Sequence, residues 1–239
     1  MARNSDYFKQ SKGILYSYIA CLPLLVLYEV LIRLSQPGSD YLVRISVDVW
    51  FKTIFSGLGV NAITATFVLA AIVGAAILFM KRDQLPKFQK KYLGYMLVES
   101  AFYAIIVALT IGLFLEFVLN MSATNPIEQL SKFQLFALSL GAGLYEELFF
   151  RVILVGVLLY GFSTILESKK TAGLLAIVLA ALLFSTVHYI GEYGDFFTFQ
   201  SFLFRFLFGL ALNLIYVSRG FGVAAWTHAL YDLFVIASM

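Results

Sequence analysis

Apolar residues run almost unbroken through seven stretches of the chain, 13–34, 61–80, 93–120, 133–162, 171–190, 198–217 and 221–239, separated by short polar turns. Each is close to the ~20 residues a helix needs to cross the hydrocarbon core of a bilayer. A helix meets its own backbone hydrogen-bonding needs, so it can span without help from water. The pattern therefore predicts an all-α fold, a polytopic transmembrane helix bundle of about seven spans forming a single membrane domain over 1–239. Pro23 lies inside the first span, where neighbouring helices can satisfy the carbonyl it frees. The segment 41–58 differs, with Arg44, Asp48 and Lys52 at intervals of four among Leu42, Ile45, Val49, Trp50 and Ile54. That period predicts an amphipathic helix lying in the interface. The polar residues 1–12 lead into an apolar run that passes Leu31 without a small-residue cleavage pattern, so the first span is expected to be retained.

Composition agrees with the pattern and narrows the functional classes. Hydrophobic residues make up 61% of the chain and charged residues 13%, about half the charged share of a soluble domain. The net charge of +3 offers no footprint for nucleic acid. One cysteine, Cys21, excludes an internal disulfide framework. Taken loop by loop, the cations fall unevenly. One side holds eleven: Arg3, Lys9, Lys12, Lys81, Arg82, Lys87, Lys90, Lys91, Lys169, Lys170 and Arg219. The other holds four: Arg33, Arg44, Lys52 and Lys132. Cytoplasmic loops carry the excess, so the N-terminus is expected in the cytoplasm and the C-terminus outside. An eighth span over 41–58 would weaken that asymmetry.

Charges inside spans need a reason, since each costs at least ~2.5–3.5 kcal/mol at the bilayer centre. The fourth run reads Gly141-Ala-Gly-Leu-Tyr-Glu146-Glu147-Leu-Phe-Phe-Arg151. Glu147 precedes Arg151 by four, the favourable order for a helical ion pair. Glu146 is left as the freer carboxylate. As structural charges, the pair would simply hold helices together, but a second adjacent carboxylate adds repulsion that such a role does not require. The two histidines of the chain, His188 and His228, also fall in apolar runs, and Asp232 follows His228 by four. An imidazole beside a carboxylate can share a proton with it, as activation of water requires. Glu146 with His188 would make such a base. His228 and Asp232 would then face a developing oxyanion, Asp232 either protonated or orienting His228. Arg205 is expected as an ion-pair partner or snorkelling group. Glu and two His are possible zinc ligands, but H-E-x-x-H is absent and no two histidines share a helix, so a metal is not indicated.

These residues resemble the CPBP intramembrane proteases, also called the CAAX-protease and Abi family. The family's E-E-x-x-x-R matches Glu146, Glu147 and Arg151; its F-x-x-x-H matches Phe184 and His188; its H-x-x-x-N/D matches His228 and Asp232. The resemblance covers 141–232 and implies a four-helix catalytic core over 133–239. It implies a metal-free glutamate endopeptidase in which Glu146 and His188 activate water, His228 and Asp232 bind the oxyanion, and Glu147 and Arg151 support them. The best-known members carry Asn where this chain has Asp232. The expected substrate is a peptide or small membrane protein, prenylated or not, at the lipid bilayer, and the expected address is a bacterial cytoplasmic membrane. The charge count sets His188 near the outer end of its helix, whereas the CAAX prenyl endopeptidase acts on cytosolic substrates. Two readings of other classes compete: a non-catalytic immunity or partner-binding protein on the same fold, and a proton-coupled transporter, which the lack of paired broken-helix repeats disfavours.

Overall fold

A computed structural model describes residues 2–38, 42–118, 130–191 and 194–238, with side chains from Asp6 onward and up to Glu116 before the second gap. The ends of three expected segments, at 41, 119–120 and 239, lie outside the described residues. Helices are α1 (Ala2–Ser11), α2 (Ile14–Leu34), α3 (Ser46–Gly57), α4 (Ala62–Met80) and α5 (Lys91–Leu113), the last running into a π-helical turn at Phe114–Val118. There follow α6 (Lys132–Gly141), α7 (Gly156–Ile165), α8 (Lys169–Val187), α9 (Phe199–Arg219) and α10 (Phe221–Ser238). Two π-helical stretches, Ala142–Glu146 and Leu148–Val155, join α6 to α7. Among the described residues, seven helical segments are long and apolar enough to cross a membrane, the α6–α7 segment counting as one from Lys132 to Ile165.

Local chemistry sets the ends. Ser131 and Gln134 form a reciprocal capping box at the start of α6, and Asn61, Ser168 and Thr198 cap α4, α8 and α9 by accepting from backbone N–H groups. Each cap satisfies a donor left over by the first turn. Between α9 and α10 the chain turns at Gly220, whose φ of 87° and close approach to the Lys12 carbonyl leave no room for a side chain.

Packing centres on α10, which touches α2, α5, α6, α9 and the π-helical stretches. Its buried face, Gly222, Val223, Ala224, Ala225, Thr227, His228, Ala229 and Tyr231, is mostly small. Small side chains let helix backbones approach closely where lipid offers no hydrophobic drive. A Cβ added to Gly143 would lie 2.5 Å from the Ala225 carbonyl oxygen, so the α6–α7 span meets α10 there with nothing to spare. By contrast α4 buries only Gly74 and Ile77 and turns its remaining surface outward.

The amphipathic segment forms α3 but with the opposite face inward from a helix floating on headgroups. Asp48 and Lys52 are buried while Trp50 and Ile54 are 43% and 61% exposed. The reason is a counterion on α2. Glu29 Oε1 pairs with Lys52 Nζ at 2.7 Å, and Glu29 Oε2 with Arg44 at 3.1 Å. Asp48 binds both cations, its Oδ2 lying 2.8 Å from Arg44. Tyr28 donates to Asp48 at 2.8 Å. Burial alone would lower the Arg44 pKa, but its two carboxylate partners more than offset this and hold it above its ordinary value.

Candidate active site in the bundle interior

The long α6–α7 span carries its acids at the junction of two π-helical stretches, a local widening found often at functional sites. Glu146 closes one π stretch, and Glu147 sits between the two. Their environments differ. Glu147 is fully buried, and its Oε1 lies 3.0 Å from Arg151 Nη1 and 2.7 Å from His228 Nδ1. Arg151, also fully buried, reaches the Gly209 carbonyl at 3.4 Å and lies 4.6 Å above the Phe184 ring. Glu147 therefore ties its own span to α10, and Arg151 ties it to α8 and α9. The ion pair of this span runs through Glu147, and Glu146 stands beside it half-buried.

At the C-terminal end of α8, His188 Nδ1 lies 2.7 Å from the Phe184 carbonyl. A carbonyl only accepts, so Nδ1 carries a proton, and in the neutral form of the ring Nε2 is then an acceptor. Phe184 thus has two roles: its backbone fixes the His188 tautomer while its ring packs against Phe150, Phe208, His188 and His228. His228 is held by the α6–α7 span. Its Nδ1 donates to Glu147, leaving Nε2 directed to Asp232 Oδ2 at 3.7 Å, too long for a hydrogen bond. Asp232 is the most open of the group, its side chain 32% exposed. Glu147, Arg151 and His228 are thus bonded into one unit with Asp232 at its edge, while Glu146 and His188 keep acceptor atoms uncommitted. Among the described residues, no three His, Cys, Asp or Glu side chains sit where they could share a metal ion.

Residues 128–234 match the family described as type II CAAX prenyl endopeptidase, Rce1-like. The matched helical core is thus similar to the CAAX-protease family. Neither a curated protein nor a solved structure matches the chain. The matched segment takes in all seven residues of the three motifs, and the helices before it, α1 to α5, lie outside the match.

Two groups around the core escape motif reading. Arg205 binds Asp195 at 2.5 Å and Tyr189 at 2.8 Å, bracing the turn that follows His188; its partner acid lies in a loop with no helical period to flag it. The Glu29 cluster reaches the site through Tyr145, whose hydroxyl donates to Glu29 Oε1 at 3.3 Å one residue before Glu146. A lone glutamate in the first span is the signal for that cluster, since an intramembrane charge implies a partner. Asn213, which shares the α9 helix with Arg205, is buried and donates to the Ile177 carbonyl at 2.7 Å.

Proposed function

We propose that this chain is a metal-free intramembrane endopeptidase in which Glu146 and His188 activate water against a peptide carbonyl. The observation that carries the reading is the division between the two adjacent glutamates. Glu147 is bound to Arg151 and His228, whereas Glu146 remains the available base. The Glu146 carboxylate takes one proton of a water molecule, and His188 Nε2 accepts a hydrogen bond from the other. The hydroxide adds to the carbonyl carbon. As the imidazolium, His228 can donate from Nε2 to the resulting oxyanion while Nδ1 stays on Glu147. Glu146 then returns its proton to the leaving amine as the C–N bond breaks. Arg151 keeps Glu147 in place and touches neither water nor substrate.

The substrate class that suits such a site is a peptide or small membrane protein entering from the bilayer, prenylated or not. The test is cleavage of quenched peptides, with and without a prenyl group, by the detergent-purified protein. Glu146→Gln should lower cleavage by at least ~10²-fold with circular dichroism unchanged, and chelator should leave the rate intact. Persistence of cleavage in Glu146→Gln would remove the water-activating role. A folded wild type that cleaves nothing would instead favour the partner-binding reading.

Asp232 separates two versions of the oxyanion site. As a carboxylate it orients His228; as the acid it adds a donor of its own. Asn donates in either case, so Asp232→Asn should retain or raise activity if position 232 serves as a donor. A loss of the same order as for Glu146→Gln would assign Asp232 to orienting His228.

A further inference from the structure

On the face that holds most of the lysines, α1, the start of α2 and the turn after α4 enclose a groove of about 490 Å³. Its polar lining is unbalanced: Lys9, Lys81 and Lys87 against the single acid Asp6, with Gln10 and Gln84 between them. None of the three lysines forms an ion pair among the described residues. The Gln10 amide is oriented, because the Tyr16 hydroxyl, which receives the Gln89 N–H at 2.8 Å, lies 3.4 Å from Gln10 Oε1. With its oxygen engaged, Gln10 has its N–H donors left for a ligand. Three ammonium groups and an amide donor select an anion.

The apolar rim says which kind. Ile14, the first residue of the α2 span, lines the groove and is 54% exposed; Phe79 and Met80, which end the α4 span beside Lys81, are each 71% exposed. The groove therefore sits where two lipid-facing helices reach the headgroup level, with cations above and hydrocarbon surface below. We infer that it is a binding site for the phosphate headgroup of an anionic phospholipid, whose acyl chains lie along α2 and α4. Basic pockets at the ends of spans suit such headgroups because charge and desolvation act together there. The site lies outside the catalytic core, so its test does not depend on peptidase activity.

The probe is phosphatidylglycerol retained by the detergent-purified full-length chain after exchange into phosphatidylcholine, measured by mass spectrometry. Lys9→Gln, Lys81→Gln and Lys87→Gln should each weaken retention about fivefold, and Asp6→Asn should strengthen it. Lys169→Gln with Lys170→Gln, on the same face but outside the groove, should change nothing. An equal loss in that control pair would mean diffuse surface attraction and would overturn the site. Inorganic phosphate that displaces the lipid at equal concentration would overturn the lipid assignment in favour of a free anion. Should a lysine variant fail to fold, Asp6→Asn decides: retention no stronger than wild type sinks the proposal.

Discussion

At the residue scale the instructive contrast is between two carboxylates one position apart. Glu147 has three attachments within its reach, two of them direct and one through Arg151, and no exposure to water. A charge so placed is tolerable only while paired. Arg151→Met, a change of similar bulk, strands Glu147 in hydrocarbon, and thermal unfolding in detergent should report a loss of about 3–5 kcal/mol. The double substitution Glu147→Gln with Arg151→Met should recover most of it, since the amide that replaces the carboxylate is neutral and its oxygen can still accept from His228. A double variant as unstable as the single one would mean that Arg151 acts through packing on Phe184 and not through charge. Cys21, by contrast, is a buried thiol with no disulfide partner.

At the element scale the site depends on how closely the α6–α7 span approaches α10. Gly143 makes that contact, and an added Cβ would meet the Ala225 carbonyl oxygen at 2.5 Å and the Ala229 Cβ at 2.7 Å. Backbone cannot yield as a flexible side chain can, so the helices must part. Gly143→Ala should therefore lengthen the bond between Glu147 and His228 and lower kcat more than it lowers Tm. Equal turnover with an unchanged melting temperature would show that the crossing is softer than its geometry implies. The same scale explains α3. Arg44, Asp48 and Lys52 mark a polar stripe at helical spacing, but an amphipathic helix read alone has no inside. Glu29 supplies one, and the stripe turns to it, leaving Trp50 and Ile54 outward.

For the whole molecule, seven apolar segments and their loops raise the matter of orientation. The eleven-to-four excess of cations predicts an N-terminus on the cytoplasmic side. Cysteines introduced at Lys90 and Leu58 test this with a membrane-impermeant maleimide, because native Cys21 is buried and should not react. In intact cells Leu58→Cys should label and Lys90→Cys should not, and permeabilisation should expose the second. The reverse pattern would invert the molecule and bring the His188 end of the core to the cytoplasm.

What could be read from the chain by itself follows from short-range physics. The cost of unpaired backbone in hydrocarbon makes spans visible as apolar runs, and a four-residue interval on a helix joins Glu147 to Arg151 and sets His228 beside Asp232. The motif residues were legible for the same reason, each set falling within one turn or two of a single helix. The tertiary structure decided whatever joins different helices: that Glu147 and not Glu146 takes His228, 81 residues away; that Lys52 meets Glu29 across 23; that Arg219 clamps α1 to α5 through Glu99, 120 positions apart. A buried charge announces in sequence that it must have a partner, because the bilayer makes solitude costly. It does not announce which one, since that choice belongs to the way the helices cross.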